Sequence, residues 1–254
     1  MKTAIVTGAG SGIGRATAEL FAERGYGVVA VDLNGDSLAW TDDHDTVVPL
    51  QGDVRTVETN AAMVALARER FGRLDAVALN AGTAGSPGIE EDDALERLDE
   101  ILAINVRSVV LGIRHAAPAL RESGGGAIVA TASTAGIRAD PGSWAYNTSK
   151  AAVINLVRAA ALDYALQNIR VNAVAPGATD TGLATSQANG MEELLKDIAS
   201  RVPMQRFAVP REQAEAIYFL ASPAASYITG TTLVVDGGIT AHTGHLALPR
   251  ATAS

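Results

Sequence analysis

The sequence predicts a doubly wound α/β fold. Seven short β-branched runs recur along the 254 residues, and they are continuously apolar, as strands buried on both faces are. Helix-period segments lie between them, and this succession implies right-handed crossovers and a parallel sheet. Thr3–Thr7 reads as the first strand, and a glycine-rich turn then opens a helix over Gly12–Arg24. Gly27–Val31 is the second strand, and the short, acidic stretch Asn34–Asp45 is expected to hold only a turn of helix. Thr46–Leu50, the helix Val57–Phe71 and the strand Ala76–Leu79 follow. A long helix is expected over Ala94–Arg121, stopped by Ser123-Gly124-Gly125-Gly126 ahead of the strand Ala127–Ala130. The helix Ser143–Leu166, the strand Arg170–Val174, the helix Arg211–Leu220 and the strand Leu233–Val235 complete the pattern. No linker divides residues 1–238, which read as one domain for binding and catalysis with a substrate segment inserted at 182–207. Residues 239–254, without periodicity, read as a tail that is loose or folded onto a partner subunit.

Composition narrows the function. The chain has no cysteine, which excludes disulfide frameworks, thiolate metal sites and cysteine nucleophiles. Twenty Lys and Arg against 28 Asp and Glu give a formal charge of −8, which argues against nucleic-acid or anionic-membrane partners. The apolar run at the start is too short for a signal peptide, and none reaches the ~18 residues of a membrane span. A cytoplasmic protein is therefore expected.

Thr7-Gly8-Ala9-Gly10-Ser11-Gly12-Ile13-Gly14 stands between the first strand and the first helix. Glycines there allow a tight turn and close approach of backbone to a pyrophosphate, to which the helix N-terminus offers free N–H groups. Alone, such a pattern is also what a flexible turn looks like; its placement favours a nucleotide. The spacing is Gly-x3-Gly-x-Gly and lacks the Gly-Lys-Ser/Thr ending of a P-loop, which disfavours triphosphate hydrolysis. Asp32, at the end of the second strand, can accept hydrogen bonds from ribose hydroxyls. Leu33 follows it and Ser11 stands in the turn, so no basic residue awaits a 2′-phosphate, and NAD is expected over NADP.

Tyr146 and Lys150 lie four apart in an apolar helix and share a face. The ammonium is expected to lower the phenol pKa toward working pH, making Tyr146 a proton acceptor for an alcohol and a donor to a ketone. Ser133 lies at the C-terminal end of the fifth strand, where ligands sit in open α/β sheets.

Thr7-Gly-x3-Gly-Ile-Gly14, Asp53-Val54, Asn80-Ala81-Gly82, Asn105, Ser133, Tyr146-x3-Lys150 and Pro176-Gly177 stand in order and at matching spacing. In these motifs the chain resembles the short-chain dehydrogenase/reductase family over nearly all of residues 1–238. The resemblance implies a single Rossmann-like domain with a seven-stranded parallel sheet. It assigns Ser133 to the substrate oxygen, Tyr146 to its proton, Lys150 to the nicotinamide ribose and Asn105 to a water in a proton relay. It further implies that Gly8, Ser11, Gly12, Ile13 and Gly14 meet the pyrophosphate side, and Asp32 and Leu33 the ribose. Asp53 and Val54 would meet the adenine, Asn80, Ala81 and Gly82 the adenosine side, and Pro176, Gly177 and Thr179 or Thr181 the nicotinamide.

Other readings fit less well. Asn147-Thr148-Ser149 satisfies a glycosylation sequon but falls mid-helix, and no histidine pair among His44, His115, His242 and His245 has zinc spacing, so no metal is expected. Ser133 lacks the Gly-x-Ser-x-Gly elbow of a hydrolase. A silent nucleotide-binding regulator has no need of Ser133, Tyr146, Lys150 and Asn105 together, and an epimerase of the extended relatives has a longer C-terminal substrate region. The expected reaction is interconversion of a secondary alcohol and a ketone of modest size, in a mostly apolar pocket formed by Ala84–Gly88, Thr134, Ile137, Trp144 and residues 182–207. A 3-oxoacyl-(carrier protein or CoA) reductase is the alternative. Such relatives carry basic residues near the active-site mouth where this chain has Gly124 and Gln167, which argues against a carrier protein. The helix over Ala151–Leu162, polar only at Asn155 and Arg158, is apolar on so much of its surface that a homodimer or homotetramer is expected. Ile101, Ile104, Val109, Val110 and Ile113 are expected to supply the opposing surface.

Overall fold

The computed structural model describes residues 1–181 and 192–243. Residues 182–191 of the expected substrate segment and 244–254 of the tail, with His245, lie outside the described residues. A seven-stranded parallel sheet runs in the order β3-β2-β1-β4-β5-β6-β7. Its strands are β1 (Thr3–Thr7), β2 (Gly27–Asp32), β3 (Val47–Gln51), β4 (Ala76–Leu79), β5 (Gly126–Thr131), β6 (Ile169–Pro176) and β7 (Thr232–Val235). The order reverses beside β1: the chain moves outward to β3, returns, and continues from β4. The C-terminal ends of β1 and β4 therefore border a crevice where ligands sit in such sheets.

Alternate residues of each strand feed two cores. Ile5, Val29, Val77 and Ile128 pack with Met63, Ile113, Leu120 and Val157 of the helices α2 (Val57–Phe71), α4 (Ser108–Glu122) and α5 (Trp144–Tyr164). Ala4, Val6, Val28 and Val129 pack on the other face with Phe21 and Ile217 of α1 (Gly12–Glu23) and α7 (Pro210–Ala221). The ends of the helices follow local chemistry. Thr56 caps α2 through its hydroxyl, and Gly72 ends it at φ 79°. Pro210 opens α7, and the Glu212 carboxylate accepts the Val209 amide.

Three segments differ from the sequence-based expectation. The long helix is split into α3 (Ala94–Leu102) and α4 by a π-helical turn over Ala103–Arg107, in which the Ser108 amide reaches back five residues to Ala103. Gly35–Asp43 forms a 3-10 run of nine residues rather than a single turn. Within the inserted substrate segment, to which the sequence reading assigns no element, Glu192–Arg201 forms a helix, α6. The start of the tail, Ile239–Ala241, folds back on its own chain: Asp236 accepts from Gly238 and Thr240, and Arg138 donates to the His242 carbonyl.

The expected subunit face also needs correction. Ile101, Val109 and Ile113 are buried within this chain. Val109 and Ile113 face the internal core because α4 packs against the sheet, Ile101 is covered on α3, and Val110 alone of the five is exposed. On α5 the exposed apolar side chain is Leu162, followed by Leu166 just beyond the helix. No helix among the described residues is long and apolar enough to cross a membrane.

Candidate active site

A cleft of about 500 Å³ opens over the C-terminal ends of β1, β4, β5 and β6. The glycine turn forms one end. Gly8 (φ +67°) and Gly12 (φ +52°) adopt a backbone that side chains disfavour. A Cβ on Gly14 would lie 1.9 Å from the Gly8 carbonyl oxygen, so only glycine lets α1 start this close to the turn. Ser11 is extended and does not cap α1 with its side chain, which leaves the first amides of the helix available at the cleft wall. Asp32 also lines the cleft, and its carboxylate accepts the Gly10 and Asn34 amides at 2.9 and 3.0 Å. Two carboxylate oxygens offer about four acceptor positions, so capacity for further donors remains. Trp40 braces the turn from behind, donating from Nε1 to the Ala9 carbonyl at 3.1 Å.

The other end is built by β5 and α5. Ser133 follows β5, accepts the Ala135 amide at 3.1 Å, and lines the cleft together with Tyr146 and Lys150 of the first turns of α5. Lys150 is 4% exposed and its Nζ donates to the Thr131 carbonyl at 2.8 Å. Burial pulls its pKa down to about 8. The expected lowering of the Tyr146 pKa by Lys150 is not what the geometry yields. Burial raises the phenol above its ordinary value, opposed by the Ser133 side chain and assisted by Asp140. The Lys150 ammonium lies 5.7 Å from the ring centroid and spends a proton on Thr131, so desolvation dominates.

Asn105 sits in the π-helical turn and is buried. Its Oδ1 accepts the Thr83 amide at 2.8 Å, and its Nδ2 donates to the Thr83 carbonyl and to Ser149 Oγ, each at 2.9 Å. Ser149 in turn donates to the Tyr146 carbonyl at 2.8 Å. This chain of bonds ties the cleft wall at Thr83 to the helix carrying Tyr146. It leaves a water only the second lone pair of Oδ1 and the main-chain carbonyl.

Of the expected residues, Gly8, Ser11, Gly12, Ile13, Asp32, Asn80, Ala81, Gly82, Ser133, Tyr146, Lys150, Pro176, Gly177, Thr179 and Thr181 all meet on this wall. Gly14, Leu33, Asp53, Val54 and Asn105 are not on it. Asp53 is held by Arg55 through paired contacts of 2.9 and 2.7 Å, which keep its carboxyl below the usual range. Ala84, expected in the substrate pocket, lines the cleft, and so do Thr83, Thr131 and Ala132, which the sequence reading does not name as site residues. Thr131 had a signal, since it is a polar residue ending an apolar strand beside Ser133. Ile137 and Trp144 do not line it; Trp144 instead anchors the loop above the cleft by donating to the Pro87 carbonyl at 3.0 Å. Gly124 and Gln167 stand before β5 and β6, at the opposite end of the strands from the cleft in this chain.

The family model described as enoyl-(acyl carrier protein) reductase matches residues 8–240. The chain is 42% identical to the cis-4-hydroxycyclohexanecarboxylate dehydrogenase of Sinomonas cyclohexanicum, over 94% of this chain and 97% of that one. It is 38% identical to the 2-(R)-hydroxypropyl-CoM dehydrogenase of Xanthobacter autotrophicus, over 94% and 99%. Among solved structures, the 3-ketoacyl-(acyl-carrier-protein) reductase of Brucella melitensis complexed with NADH superposes with a TM-score of 0.87 at 35% identity, covering 94% of this chain and 98% of that one. The L-sorbose reductase of Gluconobacter frateurii complexed with NADPH gives 0.85 at 32% identity, covering 94% and 96%. The chain belongs to the short-chain dehydrogenase/reductase family, oxidoreductases that act on CH–OH groups with NAD(P).

The residues present fit a dinucleotide: a cradle that side chains would fill, an uncapped helix N-terminus and an acceptor at the end of β2. Gly14→Ala tests the cradle. The new methyl group meets backbone, so the turn must open at about 1–3 kcal/mol of stability, with dinucleotide binding lost. Thermal melting and NADH titration measure both effects, and unchanged binding would show that the turn yields freely.

Proposed function

We propose that this chain is an NAD-dependent dehydrogenase that interconverts a secondary alcohol and a ketone. The convergence of Ser133, Tyr146 and Lys150 on the same cleft wall as the glycine turn carries this reading. The dinucleotide, when bound, would accept or supply the hydride at its nicotinamide. Ser133 would hold the substrate oxygen through its hydroxyl. Tyr146 would take the alcohol proton in oxidation and return it to the carbonyl oxygen in reduction. Lys150, protonated below about pH 8, would hold a positive charge 5.7 Å from the centre of the Tyr146 ring as the proton leaves the phenol. Asn105 would keep Thr83 and the Tyr146 helix in register, with any relay water at its remaining acceptors. Pro176, Gly177 and Thr179 or Thr181 would face the nicotinamide. Incubation with a panel of secondary alcohols and NAD, followed by NADH fluorescence, tests the reading, and an absence of reduction across the panel would overturn it.

A carrier-protein substrate is less well supported, because the positions expected to be basic are Gly124 and Gln167 and lie away from the cleft of this chain. Modest-sized alcohols, as in the names of the two dehydrogenase relatives, suit it better. A homodimer or homotetramer belongs to the same reading, supported by Leu162 and Leu166, which are left exposed.

Preference for NAD follows from Asp32. A 2′-phosphate would meet that carboxylate with no basic neighbour, since Leu33 is apolar and Arg15 is occupied by Glu19 at 2.8 Å and by the Trp40 ring. Two charges ~4 Å apart at an effective dielectric of ~20 repel by roughly 4 kcal/mol before screening. A third of that, about 1.4 kcal/mol, is tenfold in affinity. NADH should therefore bind at least about tenfold tighter than NADPH, and Asp32→Ala should narrow the gap. Equal dissociation constants in the wild type at fixed salt would remove Asp32 from this role.

A further inference from the structure

Gln213 lies on α7, fully buried. Its Nε2 donates to the Thr179 hydroxyl at 3.2 Å and to the Val235 carbonyl at 3.0 Å. Val235 offers only an acceptor there, so the nitrogen of the amide must face it, and Oε1 is left buried without a partner. An apolar side chain of similar length would carry no such penalty, so a reason for this amide is to be sought in what it holds.

What it holds is the hydroxyl of Thr179, a residue of the cleft wall. That hydroxyl donates its single proton to the Gly177 carbonyl at 3.0 Å and receives a proton from Gln213. One lone pair remains, and it can only accept. We propose that Gln213 is a positioning residue that fixes the Thr179 hydroxyl as a hydrogen-bond acceptor toward the cleft, matched to an N–H donor of the dinucleotide. The inference rests on the dinucleotide site proposed above. The carboxamide of the nicotinamide carries such a donor, whereas phosphate oxygens do not. Without Gln213 the hydroxyl keeps only its bond to the Gly177 carbonyl, the Thr179 side chain loses its second tether, and the aim of the remaining lone pair at a donor is lost. The same amide joins the end of β7 to the segment after β6, where Thr179 pairs with Ala208.

The test compares wild type with Gln213→Met by calorimetric titration of NADH and of its analogue carrying a methyl ketone in place of the carboxamide, with melting temperatures alongside. In the variant, NADH should weaken about fivefold, the weight of one hydrogen bond, while the analogue binds as before and the melting temperature holds or rises. Undiminished discrimination between the two ligands would overturn the proposal, as would a fall in melting temperature with both ligands weakened alike. Should the methionine variant not fold, Thr179→Val removes the same contact from the cleft side. It must lose the same discrimination, and discrimination retained there would equally overturn the role. A wild type that binds neither ligand instead overturns the dinucleotide site itself.

Discussion

Tyr146→Phe should lose about 100- to 10,000-fold in turnover while binding NADH as the wild type does. The substitution removes one oxygen from the cleft wall and leaves the ring packed on α5, so the glycine turn, Asp32 and Lys150 are untouched. Steady-state rates report the first effect and fluorescence titration the second. A rate near that of the wild type would remove Tyr146 from the proton transfer. Because burial raises the phenol pKa, the fall in rate on the acid side of the pH profile should lie higher in the wild type than a lysine-activated phenol alone predicts.

The second large effect is on stability. Lys150 holds its pKa at about 8 when folded, against 10.5 for an ordinary lysine. Between those values the unfolded chain binds a proton that the folded chain does not, so stability rises with pH across that window. The cost of the buried charge is fully present below pH 8. Raising the pH from 7 to 10 should stabilise the protein by roughly 2–3 kcal/mol, and Lys150→Met should abolish this rise. Denaturant titrations at the two pH values measure it. An equally steep rise in the methionine variant would mean that another group titrates in this range.

These effects come from opposite sides of what a sequence can convey. The strands were legible almost to the residue, β1 and β4 without error, because continuous apolar runs are what a sheet covered on both faces demands. Which residues meet in the cleft is legible chiefly through the order and spacing of the family's motifs, and the ends of parallel strands are where the fold gathers them. The sign of the Tyr146 shift is not legible. Spacing places Lys150 on the same face, but only the packed structure reveals that its ammonium is turned to Thr131 and that the phenol is largely desolvated. α6 is less legible, because Glu192–Arg201 lies inside a stretch whose recognisable feature is its place in the substrate segment, and ten residues with few strongly apolar positions give a weak helical period. Gln213 was hidden by its neighbourhood, a polar residue in a helix pattern that gives no sign of which side will be covered.

The π-helical turn at Ala103–Arg107 makes the length of this helix a matter of angular phase. Here the Ser108 amide pairs five residues back, and the Ile104 carbonyl is taken up by the Ser108 hydroxyl. One surplus residue is thus absorbed at the place where Asn105 must face Thr83 and Ser149. Deleting that surplus residue would return the turn to regular α-helical pairing and leave the segments on either side in their present phase. A residue deleted instead from the regular turns between Leu95 and Glu100 would rotate what precedes it by about 100° and bring Asp93 where the buried Ala94 packs. Length is therefore negotiable at the wide turn and nowhere else in this helix, and what a deletion there forfeits is the aim of Asn105 at Thr83 and Ser149.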